Sequence, residues 1–498
     1  MTPSQARDPR TPTNDALSAG GPLLDTDAAT LPPPPDRRLR PRNVAAAALR
    51  DPMARRAIWL TLPFGVQQML RLLTNIVLAR LLAPEMFGVM VLINTFRTGT
   101  ELLSDLGIGQ SVVRSPHAHD QTFLDTAFTV QFLRGVALMV LALLAAVPLS
   151  RAYGNPDLAP IVAVVGVTFI FTGLQSPDIF VMQRDMRVGQ RGVYDMACTV
   201  LQSAITIGLA WWWGNVWALV WGLFFSSLVS TVLTYCFAPF RLPRLTWHPE
   251  YSSEIFHFGK WVFLSTAIYF AAMSTDKIYF SAVLPLALVG VYGVSRTFSD
   301  MLNALAQRFG SFLVFPKIVE LRHKRGEVSA TFQRKRRLAL AAIGVALAVS
   351  LAVSDRLILF LYDKRYHEAA FMLPVLLASA WFAVLGAFGE ATLFGLDKPR
   401  ASAAGNVAKF AILIVGLPLF VPHYGVFAGL IVLMFGEIGR WLALALALRA
   451  ESLASVRDDV AITVGIAVLA VALKFALGAV GLVPTFQQWW ALGAAVHG

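Results

Sequence analysis

The chain has 498 residues, of which 56% are apolar and only 14% are charged, and its mean hydropathy is +0.61. Soluble domains contain about 45–50% apolar and about 25% charged residues, so this composition excludes a disordered chain and argues against a soluble globular enzyme. It indicates an integral membrane protein, because only lipid can solvate so much apolar surface. A formal net charge of +12 would also suit a partner of nucleic acid, and the positions of the basic residues decide between these interpretations.

Residues 1–45 form a separate N-terminal segment that contains nine prolines, and arginines lie among them between positions 7 and 42. A segment with so few large apolar residues cannot form a core, which predicts a disordered, Pro/Arg-rich cytoplasmic tail. Its basic charges either attract it to anionic lipid headgroups or only fix the topology. No short apolar stretch with a cleavage site precedes it, so no signal peptide is expected.

From Ala57 onward, long apolar stretches alternate with short polar segments. Each stretch is long enough to cross about 30 Å of hydrocarbon as a helix, and continuous apolar runs favour helices over barrel strands. The pattern predicts an all-α, polytopic transmembrane helix bundle, with one or two extra helices at the C-terminal end. The predicted spans are 57–82, 87–108, 122–148, 158–181, 192–213, 216–238, 257–282, 287–314, 338–361, 368–394, 402–421, 425–448 and 459–481.

The lysines and arginines outside the spans lie mostly on one side of the membrane. With the N-terminus in the cytoplasm, 27 of the 42 fall in the tail and the cytoplasmic loops. The opposite side carries only Arg151, Lys364 and Arg365, together with Arg356 near the outer end of the ninth predicted span. Because basic loops stay in the cytoplasm, this asymmetry predicts a cytoplasmic N-terminus. Topology also accounts for the densest basic patch, at 317–337, so no nucleic-acid partner is expected.

An internal repeat connects the first and the seventh span. Thr74–Pro84 leads to Gly88-Val89, and Thr275–Pro285 leads to Gly290-Val291 at an offset of about 201 residues, which corresponds to six spans. Because six is even, both halves enter the membrane in the same direction, and a parallel repeat favours two halves that rock around a central cavity. The predicted domains are the tail 1–45, the six-helix halves 46–245 and 246–450, and an additional C-terminal helix and tail at 451–498.

Four segments carry a resemblance to a known family. The stretch LARLLAPEMFGV at 78–89, followed by SDLGIG at 104–109, is similar to the first helical hairpin of the bacterial polysaccharide flippases of O-antigen type. QRDM at 183–186 and LP…GVY at 284–292 match that family as well. The resemblance to these members of the multidrug/oligosaccharidyl-lipid/polysaccharide exporter superfamily extends over roughly residues 50–450. The long tail and the thirteenth span depart from the family pattern.

The resemblance implies a transporter that flips a polyprenyl-diphosphate-linked oligosaccharide from the cytoplasmic to the periplasmic face of the bacterial inner membrane. Its partners would be membrane lipids and other proteins of polysaccharide polymerisation and export. Two alternatives stay open: an ion-coupled multidrug or small-metabolite antiporter of the same superfamily, and a polytopic polysaccharide polymerase or ligase. The antiporter would need fewer cavity cations, and the enzyme would need a sizeable periplasmic loop, whereas the longest one predicted, 354–367, has about fourteen residues.

Eleven basic residues lie inside the predicted spans. Each costs about 2.5–3.5 kcal/mol at a helix centre, so their number favours a polar cavity through which sugars and diphosphate would cross the bilayer. Arginine suits diphosphate because its planar fork donates two hydrogen bonds and stays charged. The candidates for substrate binding are Arg71, Arg97, Arg134, Arg296, Arg308 and Lys277. Four residues nearer helix ends are expected to snorkel instead: Arg80, Lys260, Arg440 and Lys474.

Acidic residues accompany two of these arginines. Arg97, Glu101 and Asp105 follow one another at four-residue intervals, which places them on one helical stripe. Arg296 and Asp300 have the same spacing. Each pair either neutralises itself within the bundle or leaves its arginine available to a substrate, and both interpretations stay open.

Carboxylates inside the spans are also candidates for coupling transport to H⁺ or Na⁺. Asp276 and Lys277 are adjacent on the seventh span and point to different faces, so at most one of them lines a given cavity. The sequence does not choose among the four candidates, which are Asp105, Asp276, Asp300 and Glu390.

Motifs for other chemistries are missing from the sequence. No Gly-rich loop ending in Gly-Lys-Ser/Thr is present in the sequence, so this chain is not expected to drive transport by ATP hydrolysis. His117 and His119 form a pair without a third ligand, so no metal site is expected. The sequence predicts neither catalytic residues nor a cofactor, and the chain is expected not to be an enzyme.

Overall fold

The residues described by the computed structural model are 52–185, 187–237, 242–315, 317–319, 330–450 and 456–492. Every regular element in these ranges is a helix, which confirms the predicted all-α fold. The predicted tail 1–45 lies outside the described residues, as do residues 320–329 of the basic patch. By its internal contacts the chain divides into Met1–Arg55 and Arg56–Gly498, and all side-chain contacts reported below belong to the second unit.

The helices of the first half coincide with the first six predicted spans, apart from two short ones, α3 and α6. The bounds are α1 Pro52–Leu81, α2 Pro84–Leu102, α3 Ile108–Arg114, α4 Gln121–Ala152, α5 Leu158–Gly173, α6 Asp178–Arg184, α7 Val188–Trp213 and α8 Val216–Phe237. The predicted span 158–181 is broken, because α5 and α6 are bent by 60°. Pro177 at the bend has no N–H to continue the helix, and the Ser176 N–H donates to Thr234 Oγ1 (3.1 Å) on α8.

The helices of the second half correspond to predicted spans seven to thirteen. The bounds are α9 Pro249–Val283, α10 Leu286–Phe309, a π-helical turn Gly310–Val314, α11 Ala330–Leu361, a 3-10 turn Lys364–Tyr366, α12 Glu368–Gly395, α13 Pro399–Ala450, α14 Val456–Ala479 and α15 Phe486–Leu492. Helix α12 lies at the centre of this half, with 83% of its most apolar window buried. By length and composition, eight helices of the described chain can cross a membrane, or nine if the bent pair counts as one. The chain is therefore a multi-pass membrane protein.

Helix α13 is a hairpin of two spans rather than one long helix. A straight helix of its 52 residues would be about 78 Å long, far more than a bilayer needs. Gly425 interrupts it with φ 72° and ψ −170°, a conformation that favours glycine. A Cβ on Gly416 would lie 2.7 Å from Val432, and one on Gly436 would lie 3.1 Å from Leu413. The two arms are thus antiparallel, as the separate spans 402–421 and 425–448 predicted.

The two halves meet where their second helices, α2 and α10, cross. A Cβ on Gly88 would lie 1.9 Å from the Leu286 carbonyl oxygen, and a Cβ on Gly290 would lie 1.9 Å from the Pro84 carbonyl oxygen. Only glycine permits such a close backbone approach. Gly88 and Gly290 are the paired glycines of the sequence repeat, and their contacts are reciprocal. This exchange of equivalent contacts agrees with two halves related by a parallel repeat.

Helix α14, the thirteenth predicted span, lies parallel to α11 and is fixed to it by two buried ion pairs. Arg336 Nη1 lies 2.8 Å from Asp459 Oδ1 near the start of both helices. Lys474 pairs with Asp355 near their other ends. Lys474 was expected to snorkel, and that prediction is wrong because a carboxylate on α11 offers it a partner inside the bundle. Two parallel helices begin on the same side of the membrane, as the predicted positions of spans nine and thirteen require.

Candidate functional site

A central cavity of about 470 Å³ lies between α1, α2, α7, α8 and α10. Among the described residues that line it, two are charged, Arg71 and Arg97. The cavity joins helices from both halves, because α10 contributes Gly293 and Thr297. Its other polar lining side chains are amides and hydroxyls: Thr74, Asn75, Asn94, Thr199, Gln202, Ser203 and Thr206.

Helical periodicity places these side chains on the cavity. On α1, Arg71, Thr74 and Asn75 share one helical face because they are three and four residues apart. On α7, the polar residues Thr199, Gln202, Ser203 and Thr206 recur with the same spacing in an otherwise apolar helix. The Asn75 amide donates to Thr297 Oγ1 (3.0 Å), which connects the two halves across the cavity. Sequence reasoning missed this polar stripe, and its spacing was the signal that could have found it.

Arg71 and Arg97 differ in their partners. Arg71 is exposed to the cavity and has no ion-pair partner among the described residues. Arg97 Nε lies 3.0 Å from Glu101 Oε1, one helical turn away, and both side chains remain about one-third exposed, at 27% and 32%. The predicted pair is therefore present, yet Arg97 still lines the cavity.

A smaller pocket of about 180 Å³ adjoins the cavity and shares Asn94 and Thr297 with it. This pocket is lined by three further predicted residues, Lys277, Arg296 and Asp300. Its cations are neutralised locally: Arg296 lies 2.9 Å from Asp300 and 3.5 Å from Asp276, and Lys277 lies 3.3 Å from Asp300. The Arg296 side chain is only 11% exposed, so it is less available to a substrate than Arg71 or Arg97.

Asp276 and Lys277 occupy different surroundings, as their adjacent positions predicted. Lys277 lines the pocket, whereas Asp276 is buried behind it and accepts a hydrogen bond from the Tyr292 hydroxyl. The Asp276 carboxylate thus holds the far side of Arg296 in place and does not face the central cavity.

Three other predicted residues lie away from the central cavity. Arg134 and Asp105 line a second cavity of about 250 Å³ between the C-terminal ends of α2 and α5 and the middle part of α4, which we call the side cavity. Asp105 also accepts the backbone N–H of Gly107 (2.9 Å), where the chain turns after α2. The Arg308 guanidinium lies 4.7 Å from the centroid of the Phe64 ring, a cation–π contact between α10 and α1.

Glu390 belongs to a buried cluster of four charges in the second half. Arg440 Nη2 lies 2.6 Å from Glu390 Oε2, Lys409 Nζ lies 2.6 Å from Glu437 Oε1, and Arg440 lies 3.8 Å from Glu437. Arg440 is 1% exposed, so the prediction that it snorkels is wrong, because two carboxylates inside the bundle hold it there. Sequence reasoning did not single out Lys409 or Glu437. The spacing of Glu437 and Arg440, three residues apart in an apolar span, was the available signal.

Comparisons with known proteins find relatives in polysaccharide biosynthesis. Lipopolysaccharide biosynthesis protein WzxC of Escherichia coli is 21% identical over 339 residues, which are 66% of this chain and 66% of that relative. Succinoglycan biosynthesis transport protein ExoT of Rhizobium meliloti is 20% identical over 307 residues, which are 62% of this chain and 61% of that relative. The chain thus matches slightly less than two thirds of the length of each.

A solved structure and a family model complete the comparison. The lipid II flippase MurJ, in an inward closed conformation, has the same fold with a TM-score of 0.68 at 11% identity, over 88% of this chain and 97% of that chain. A family model described as polysaccharide biosynthesis protein matches residues 77–371, which is more than half of the chain. The chain therefore belongs to this family of polysaccharide biosynthesis proteins.

Proposed function

We propose that the protein flips a polyprenyl-diphosphate-linked oligosaccharide from the cytoplasmic to the periplasmic face of the inner membrane, for polysaccharide biosynthesis or export. The composition of the central cavity carries this proposal. The cavity combines two guanidinium groups with hydroxyl and amide side chains, and none of its described lining residues is acidic. An anionic, sugar-bearing headgroup needs this combination inside a membrane.

Each part of such a headgroup finds matching groups in the cavity. The forks of Arg71 and Arg97 suit the oxygens of a diphosphate, which they bind bidentately. Sugar hydroxyls donate and accept hydrogen bonds, as do the amides of Asn75 and Asn94 and the hydroxyls of α7. These groups replace hydrogen bonds to water, whose loss would otherwise cost several kcal/mol for each polar group in hydrocarbon. No covalent bond changes in this process, so the protein is a carrier and not an enzyme.

The names of the related proteins support the same class of substrate. These names refer to lipopolysaccharide biosynthesis, to succinoglycan biosynthesis transport and to a lipid II flippase. For this chain we extend the proposal to the bacterial inner membrane, a cytoplasmic N-terminus, and partners that comprise membrane lipids and proteins of polysaccharide polymerisation or export. The asymmetric distribution of lysine and arginine supports that orientation.

Two observations argue against the alternatives. A cavity with two arginines and no described acidic lining residue repels the cationic compounds that a multidrug antiporter often exports. The loop expected at 354–367 is shorter than predicted, because α11 continues to Leu361 and α12 begins at Glu368. A connection of residues 362–367 is too short for a periplasmic catalytic domain of a polymerase or ligase.

The proposal is tested by deleting the gene in its own host and measuring both surface polysaccharide and the lipid-linked oligosaccharide pool. We expect the surface polysaccharide to disappear and the lipid-linked oligosaccharide to accumulate on the cytoplasmic face, with both effects reversed by a plasmid copy. A deletion strain with normal polysaccharide and increased sensitivity to cationic drugs would instead establish the antiporter.

A further inference from the structure

Glu101 lies between the central cavity and the side cavity. Its carboxylate pairs with Arg97 of the central cavity at 3.0 Å. The same residue lines the side cavity together with Arg134. Arg97 and Arg134 stand on different helices, α2 and α4, so Glu101 is placed between two cations that face two different cavities.

Arg134 is a half-buried cation without a carboxylate in contact. Its guanidinium donates to the Glu101 backbone carbonyl (2.6 Å) and to Ser104 Oγ (3.1 Å). It forms no ion pair within the described part of the chain, although Glu101 and Asp105 both attract it electrostatically. Arg134 is thus fixed beside Glu101, yet its charge is not neutralised by direct contact. An uncompensated charge in such a place is unfavourable and favours the approach of an anion.

We propose that Glu101 exchanges partners when a substrate binds: the diphosphate takes Arg97, and the Glu101 carboxylate turns to Arg134. This inference rests on the proposed function and specifies how its site accepts the anionic group. Glu101 acts as a positioning residue, because it holds Arg97 in the empty cavity and does not itself contact the substrate.

The exchange avoids two unfavourable arrangements. If Glu101 stayed on Arg97, its negative charge would repel the incoming diphosphate at close range. If Glu101 lost Arg97 without a replacement, a carboxylate would remain unpaired in the last turn of α2, where the helix dipole already disfavours negative charge. Because Arg134 is bonded to the Glu101 carbonyl, a rotation of the Glu101 side chain suffices, and α2 itself does not have to move.

A double-mutant cycle tests the exchange. The probe is a fluorescent undecaprenyl-diphosphate-linked disaccharide, and its equilibrium binding is measured with the purified full-length protein in lipid nanodiscs. Glu101→Gln removes the competitor for Arg97 and should tighten binding about tenfold. Arg134→Gln removes the alternative partner and should weaken binding about tenfold, but only while Glu101 is present. In the double variant the effect of Arg134→Gln should disappear.

The control is an equivalent pair outside both cavities. Arg191 Nε lies 3.1 Å from Asp195 Oδ1 on α7 with the same four-residue spacing, so Asp195→Asn should leave probe binding unchanged. The exchange is wrong if Arg134→Gln weakens binding equally with and without Glu101, or if Glu101→Gln binds no tighter than the wild type. The comparison of Glu101→Gln with the wild type still tests the exchange if Arg134→Gln fails to fold. A wild-type protein that does not bind the probe at all would contradict the proposed function, whereas binding without coupling would contradict only the exchange.

Discussion

Arg97→Ala should abolish flipping of the lipid-linked oligosaccharide while the amount of protein in the membrane stays close to that of the wild type. Truncating one side of a hydrogen-bonded charge contact costs about 2–5 kcal/mol of binding, and the cavity then retains one guanidinium, Arg71. The fold should tolerate the change, because Glu101 is partly exposed and lies beside Arg134. Arg97→Lys keeps the charge but not the bidentate fork, so partial transport should remain. Surface polysaccharide and membrane protein level are measured together.

A second substitution separates phosphate binding from simple ion pairing. If Arg97 only neutralised Glu101, removing both charges with Arg97→Ala and Glu101→Ala would restore transport to the wild-type level. If Arg97 binds the diphosphate, the double variant stays inactive. Arg191→Ala breaks a similar pair on α7 that lines neither cavity, and it should transport normally.

Lys409→Met should have the opposite pattern and lower the amount of folded protein. Lys409 is 3% exposed and lies 2.6 Å from Glu437, so the substitution leaves the buried Glu437 and the partly buried Glu390 with Arg440 as their only cation in the cluster. Breaking a buried pair costs about 3–5 kcal/mol, a large part of the roughly 5–15 kcal/mol by which proteins are stable. The thermal unfolding midpoint and the membrane level of the variant should both fall.

The double variant Lys409→Met with Glu437→Gln provides the matched test of this cluster. It restores the balance of one carboxylate and one guanidinium, so its unfolding midpoint should recover most of the loss. Arg71→Ala is the complementary control, because Arg71 has no ion-pair partner among the described residues; its unfolding midpoint should not change. A Lys409→Met protein as stable as the wild type would show that the cluster does not stabilise the fold.

The spans could be predicted from the sequence because the membrane imposes one simple condition, about twenty apolar residues in a helix. Even the hairpin in α13 followed from it, since Pro422 and Gly425 separate two stretches of that length. The repeat predicted correctly that Gly88 and Gly290 are equivalent, because close contact of α2 and α10 requires glycine at both places. The break between α5 and α6 was not predicted, although Pro177 is visible in the sequence; Thr234, which satisfies the Ser176 N–H at the bend, is distant in sequence.

The candidate site could be predicted only in part. The sequence showed which arginines lie inside spans, but whether each faces a cavity or a carboxylate depends on other helices. Arg440 and Lys474 were assigned to the membrane surface from their positions near helix ends, whereas Glu390 and Asp355 hold them inside the bundle. Conversely, the polar stripe of α7 contains no charged residue and was not predicted to line the cavity, although its helical spacing is visible in the sequence.

The central claim, that the cavity carries a diphosphate-linked glycan across the membrane, is tested most directly with purified protein in liposomes. The substrate is a fluorescent undecaprenyl-diphosphate-linked disaccharide, and its appearance in the opposite leaflet is followed over time. Wild-type protein should accelerate this movement well above protein-free liposomes, and Arg71→Ala with Arg97→Ala should return it to the background rate. A wild-type rate equal to the background, or a double variant as fast as the wild type, would contradict the account.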